Sequence, residues 1–391
     1  MRIALIGTRG VPARYGGFET CIEEVGSRLA AAGHEVIVYC RPTGDGAEQL
    51  ETYKGMRLVH LPIVRKRSLE TLAHTGLSVL HRSLRGVDAA IVFNSANAPL
   101  LPVIRARGIP VATHVDGLEW KRGKWGPTGQ RYYRTAESLA VRWSDALIAD
   151  AEGIADYYAR EFEAETELIA YGAPISRPAD AVRVAELDLA PGKYHLVVAR
   201  FEPENHVLEA VQGYVASRAE LPLVVVGSAP YADEYTAAVA AAADSRVRLL
   251  GGVWDQEQLD QLYAHALTYL HGHSVGGTNP SLLRAAGAGA YTLAFDVSFN
   301  REVIGEQGEF WRTPSELAGQ LEDVEADPDR AHRGGEALQR AIARYNWDDV
   351  AAAYERLCVR LAEGRTPARR PSGRRTGVPE REPLRELELQ H

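Results

Sequence analysis

One pattern governs what this chain can fold into: short apolar runs, each followed by a helical stretch, and the whole series starts twice. In the first half the runs lie at residues 3–6, 35–39, 89–93, 110–114, 146–149 and 168–170. Between the first two, Phe18, Cys21, Ile22, Val25 and Leu29 recur at helical spacing, and Gly33 supplies a stop. Strands that alternate with helices over short connections predict a parallel sheet covered on both faces. A second set of runs follows at 195–199, 223–226, 247–250, 268–270 and 291–294. The chain therefore reads as α/β, two doubly wound units in succession.

The boundaries follow from composition. Residues 1–172 make the first unit, a stretch with three prolines over 173–191 reads as the linker, and 173–341 make the second unit. Ile342, Tyr345, Val350, Tyr354, Leu357 and Leu361 then predict a last amphipathic helix over 342–363, expected to return to the first unit. Beyond Gly364 the sequence is rich in Pro, Arg and Glu with little to bury, and a disordered tail is expected there. Ligands of such sheets bind beyond the carboxyl ends of the strands, so chemistry is expected in a cleft between the two units.

Composition narrows the function. The 391 residues are 46% apolar and 25% charged, which is globular, and the net charge is −8. That charge is uneven: residues 1–172 carry a net +1, residues 173–363 a net −12 and the tail a net +3. An acidic second half argues against general nucleic-acid binding but leaves room for an anionic partner on the first. Cys21, Cys40 and Cys358 have neither metal-ligand spacing nor a disulfide framework, which points to a reducing cytoplasm. No run of roughly 18 apolar residues predicts a membrane span, and the N-terminus reads as a strand rather than a signal peptide. Arg65-Lys66-Arg67, residues 121–124 and the arginines of the tail permit peripheral contact with an anionic membrane surface; solvated faces account for them equally.

Four segments carry chemistry. After the first strand come Gly7-Thr8-Arg9-Gly10 and Tyr15-Gly16-Gly17-Phe18-Glu19, where a backbone can approach a ligand and amides can hold an anion. Neither the dinucleotide glycine spacing nor a Walker loop is present, and a plain turn remains the competing reading. Ala199-Arg200-Phe201-Glu202-Pro203-Glu204-Asn205 places an arginine at a strand end, suited to neutralising a phosphate or to a surface ion pair with Glu202. His271-Gly272-His273-Ser274-Val275-Gly276-Gly277-Thr278-Asn279-Pro280-Ser281 leads into a helix N-terminus, an anion site; a metal on His271 and His273 lacks a third ligand. His114-Val115-Asp116-Gly117-Leu118-Glu119-Trp120-Lys121-Arg122 offers a carboxylate at a strand end amid basic and aromatic residues, which suits an anionic or lipid-linked substrate or a solvated loop.

Together these segments resemble the bacterial rhamnosyltransferase-like branch of the family 4 glycosyltransferases, which have the GT-B fold. The matching stretches are residues 7–20, 116–122, 199–205 and 271–283, spread over nearly all of residues 1–360. The resemblance implies a retaining transfer of a sugar from a nucleoside diphosphate, typically dTDP-L-rhamnose, to a hydroxyl of a saccharide, lipid-linked or small-molecule acceptor, with no cofactor and no obligatory metal. It implies catalytic roles for Arg200 and Asp116. Gly16, Gly17, Glu202, Asn205, His273, Gly276, Gly277, Thr278, Asn279 and Arg284 fall on the donor side. Glu19, Glu119 and Lys121 fall on the acceptor side.

One departure stands out. Family 4 carries a Glu-x7-Glu pair at this loop, and here the two positions are Gly276 and Arg284. A guanidinium cannot accept a hydrogen bond from a ribose hydroxyl. Altered donor recognition with transfer retained is one reading; a homologue that binds a sugar nucleotide or a partner without catalysis is the other.

Overall fold

The structure is a computed structural model that describes residues 1–365 except 14–15, 43–48, 64–69, 116, 124, 177–179 and 228–232. It divides into two compact units. The first comprises residues 1–120, 125–171 and the chain from Trp347 onward; the second comprises 121–124 and 172–346.

The first unit is built on eight strands: β1 (Arg2–Ile6), β2 (Glu35–Cys40), β3 (Thr52–Tyr53), β4 (Met56–His60), β5 (Ala89–Phe93), β6 (Val111–His114), β7 (Ala146–Ala149) and β8 (Glu167–Leu168). They lie in the order β3-β4-β2-β1-β5-β6-β7-β8. All pairings are parallel except β3 with β4. β1 sits between β2 and β5, with Ile3 opposite both Val36 and Ala89. Its apolar run has both faces covered, as a central parallel strand requires. The helix Gly17–Ala31 buries Cys21, Ile22, Val25 and Leu29, the stripe its sequence predicts. The C-terminal helix Trp347–Ala362 belongs to this unit: the Cys21 Sγ lies 3.6 Å from the Tyr354 hydroxyl, and Arg28 Nε donates to Asp348 at 2.7 Å.

The second unit has six strands: β9 (His195–Val198), β10 (Leu223–Val226), β11 (Val247–Gly251), β12 (Thr268–His271), β13 (Tyr291–Phe295) and β14 (Glu309–Trp311). Their order is β11-β10-β9-β12-β13-β14, all parallel. The first strand of each unit is flanked by its successor on one side and by a later strand on the other, so the winding reverses at β1/β5 and again at β9/β12. Splayed connections at such reversals leave a crevice at the carboxyl ends. Trp311, Tyr194, Tyr214, Tyr263 and Tyr269 are the largest buried side chains of this unit. His195, at the start of β9, is pinned by Thr268 at 2.7 Å and Glu325 at 3.0 Å.

Three differences from the sequence reading have local causes. β3 and β14 are too short, at two and three residues, to show a periodicity, and β4 is broken as an apolar run by the exposed Arg57. The last helix begins at Trp347 rather than 342, after a separate helix Pro328–Ile342. The Tyr345 carbonyl is turned out to accept the Ala173 amide at 2.7 Å, which breaks the helical ladder, and Asp348 and Asp349 then favour a new N-terminus. Of the expected tail, residues from 366 on lie outside the described residues, as do Arg65, Lys66, Arg67 and Lys124. No helix among the described residues is long and apolar enough to cross a membrane.

Candidate active site

In the second unit, the β9/β12 reversal brings two of the four predicted segments together. Beyond β9 the chain turns through a short helix, Pro203–Asn205, and His206 adopts a left-handed conformation before the helix Val207–Ala216. Beyond β12 comes the loop from Gly272 to Asn279. A Cβ at Gly272 would collide with the Asn205 carbonyl, so only glycine lets these backbones touch. The Gly272 carbonyl accepts from His206 Nδ1 at 2.7 Å, and the His206 ring stacks on Phe295 with centroids 4.0 Å apart. Glu204 accepts the Ser274 amide at 2.9 Å through its carbonyl. Asn300 adds the third side, donating to the carbonyls of His273 and Phe295 at 3.0 and 2.8 Å.

The polar side chains form a chain with one consistent proton arrangement. The Arg200 carbonyl can only accept, so the Asn205 amide nitrogen donates to it at 2.8 Å. That turns Asn205 Oδ1 towards His273, whose Nδ1 donates to it at 2.7 Å. His273 is buried, and burial together with Arg122, His271, Arg200 and His206 holds its pKa well below the ordinary imidazole range. Burial likewise pushes His271 down to about 3. The two rings are therefore neutral at pH 7. Among the described residues, no group of three His, Cys, Asp or Glu side chains is placed to hold a metal ion.

Gly276 has φ +139°, and Asn279 caps the helix Pro280–Gly287 by accepting the Ser281 amide at 2.9 Å. Gly277 and Thr278 are buried between them. Glu202 is the residue preceding the Pro203 turn, and its carbonyl accepts the Asn205 amide at 2.9 Å. Arg284, the departure from the family pattern, donates from Nε to Asp260 at 2.8 Å and from Nη2 to the Gln256 carbonyl, with its guanidinium over the Tyr263 ring. Arg122 and Glu204 each stand in a quoted motif, but nothing in the sequence pairs them: Arg122 Nη1 lies 3.3 Å from the buried Glu204 carboxylate. Asn300 stood in none of the quoted motifs.

In the first unit Gly16 precedes Gly17, the first residue of its helix, and Glu19 one turn on accepts the Arg9 amide at 3.0 Å. Glu23, a further turn along, accepts the Ala13 amide at 2.7 Å. Two carboxylates on one helix thus hold both ends of the 9–13 loop. Glu119 is buried and accepts the Trp125 indole at 3.2 Å; Lys121 closes the same short turn, Glu119–Lys121. His114, at the end of β6, is sandwiched by Phe93 and Tyr171 and pushed down to about 3 by burial. Asp116 lies outside the described residues.

Two parallel-sheet Rossmann-like units, the second with an arginine-bearing strand end meeting a glycine loop, define the GT-B class of glycosyltransferase fold. Residues 16–172 match the glycosyl transferase 4-like domain and residues 192–327 match glycosyl transferases group 1, so the chain carries both domains of a glycosyltransferase. Among solved structures, sucrose-phosphate synthase from Thermosynechococcus elongatus is similar at 19% identity and TM-score 0.78, over 93% of this chain and 99% of that one. The Anabaena protein HepE in complex with UDP-glucose is similar at 16% identity and TM-score 0.73, over 92% and 100%. An α,α-trehalose-phosphate synthase (UDP-forming) from Burkholderia xenovorans, in complex with glucose-6-phosphate, is similar at 10% identity and TM-score 0.69, over 92% and 100%. At these identities the likeness is one of fold. No curated protein matches the chain in sequence.

Proposed function

We propose that the chain transfers a glycosyl group, with retention, from a nucleoside diphosphate donor to an acceptor hydroxyl. The observation that carries this is the meeting of the Arg200 turn with the 272–279 loop at the β9/β12 reversal. A diphosphate there gains the guanidinium of Arg200 and the positive end of the helix Pro280–Gly287. Charge grows on the departing diphosphate as the C1–O bond breaks, so these groups stabilise the transition state more than the ground state. The acceptor oxygen bonds to C1 on the face the phosphate leaves, and the departing phosphate oxygen takes its proton. No protein nucleophile and no metal enters the scheme.

The donor we favour is dTDP-L-rhamnose, from the resemblance of the sequence motifs; the UDP-glucose complex of HepE supports a sugar nucleotide in general. The acceptor is a saccharide, lipid-linked or small-molecule hydroxyl compound, for which the resemblance alone implies a role of Asp116, and peripheral contact with an anionic membrane belongs to the same reading. Incubating the chain with a panel of sugar nucleotides and acceptors, and following nucleoside diphosphate and product by mass spectrometry, tests it. A glycosylated product with the donor's anomeric configuration is expected. Release from no donor, despite binding of one, would favour the second reading, a sugar-nucleotide-binding homologue without transfer, to which the Arg284–Asp260 pair lends its only support.

A further inference from the structure

His273 has a use for its second nitrogen that the framework does not fill. With Nδ1 committed as donor to Asn205, the neutral ring carries a lone pair on Nε2. That nitrogen lies 3.1 Å from where a Cβ on Gly276 would stand, and Arg122 Nη2 lies 3.9 Å from the same point. The ring as a whole is buried, yet Nε2 is not among the enclosed polar atoms that lack a partner, so this nitrogen borders accessible space. An acceptor that borders open space on an otherwise buried ring is placed for a donor that a ligand brings. Glycine at 276, with φ +139°, keeps the space over the ring open.

We propose that His273 recognises the transferred sugar itself, accepting a hydrogen bond from one of its hydroxyls at Nε2, with Asn205 as the residue that fixes the ring's tautomer. A phosphate oxygen cannot serve, because it too is an acceptor; the ligand group must be an O–H or N–H donor. Discrimination follows: a sugar lacking that hydroxyl leaves the lone pair buried and unpaired, the kind of mismatch a polar site rejects strongly. The inference rests on the donor assignment above and adds the chemistry of the glycosyl pocket to it.

Calorimetric titration of the full chain with dTDP-rhamnose against dTDP, and UDP-glucose against UDP, separates the two. His273→Phe keeps the ring volume and removes the lone pair. It should weaken the sugar nucleotide about tenfold while leaving the nucleoside diphosphate within about twofold. His273→Gln, which restores an acceptor oxygen, should recover most of the loss. Equal weakening of both ligands with the fold intact by circular dichroism, or no weakening of either, overturns the role of His273. A misfolded Phe variant leaves the decision to Gln: selective retention of sugar affinity supports the role, and a loss shared with the nucleoside diphosphate overturns it. If the wild-type chain binds none of the four ligands, the donor reading fails and this inference falls with it.

Discussion

Arg284 and Asp260 form an ion pair in the second unit, Nε to Oδ1 at 2.8 Å, linking the helix Pro280–Gly287 to the helix Gln256–His265. The arginine that stands where the family carries glutamate is thereby engaged within the protein. Both side chains are partly exposed, so the pair contributes roughly 0–1 kcal/mol, with a small addition from the Tyr263 ring. Arg284→Ala should lower the melting temperature by a few degrees and leave the dTDP affinity within about twofold. Arg284→Glu should cost more stability, since it sets two carboxylates side by side. Thermal melts and calorimetry on both variants check this; a large gain of nucleotide affinity in Arg284→Glu would support the altered-recognition reading instead.

Gly272 makes the close approach on which the site's geometry depends. Gly272→Ala should cost about 1–3 kcal/mol, because its Cβ would run into the Asn205 carbonyl and the turn would have to move. A chemical denaturation curve reads the cost directly. Nucleoside diphosphate binding should fall in the same variant, since the Arg200 turn moves with Asn205.

Acid stability has an assignable component in the second unit. Burial tends to raise the Glu325 pKa, but the His195 ring and the amides of Glu220 and Leu221 outweigh it, and the result lies below the ordinary value of 4.5. A carboxyl depressed by folding contributes stability that is fully present above its unfolded pKa and is lost as pH falls through the lower folded value. Melting temperatures should therefore drop below about pH 4.5 in the native chain, and Glu325→Gln should show a shallower acid limb.

All three cysteines are buried, and burial pushes Cys21 and Cys358 up to about 12 and Cys40 to about 11. The thiolate is the reactive form. A thiol reagent at neutral pH should label none of them in the folded chain and all three after denaturation. Early labelling of Cys21 or Cys358 would mean that the helix Trp347–Ala362 opens readily from the first unit.

Much of this architecture is written in local sequence. The runs at 3–6, 89–93 and 291–294 are apolar on both faces because parallel strands are covered twice, and the structure has strands there. The hairpin at Thr52–His60 escaped because β3 has two residues and β4 carries an exposed arginine inside its apolar run. Within the site, Asn205 and His273 were legible as polar residues on turns near strand ends, but their mutual orientation was not. It depends on a contact across 68 residues and on a carbonyl that only the folded chain presents. Asn300 and the Asp260 partner of Arg284 are invisible for the same reason: pairing at long range leaves no periodic mark.

The proposed chemistry requires the second unit to hold a diphosphate against Arg200. Calorimetric titration of the native chain and Arg200→Ala with dTDP and with UDP decides it. At least one nucleotide should bind saturably, weakened roughly tenfold to a hundredfold in Arg200→Ala by loss of charge-assisted hydrogen bonds. Equal affinity in the two proteins, or no binding to either, would contradict it.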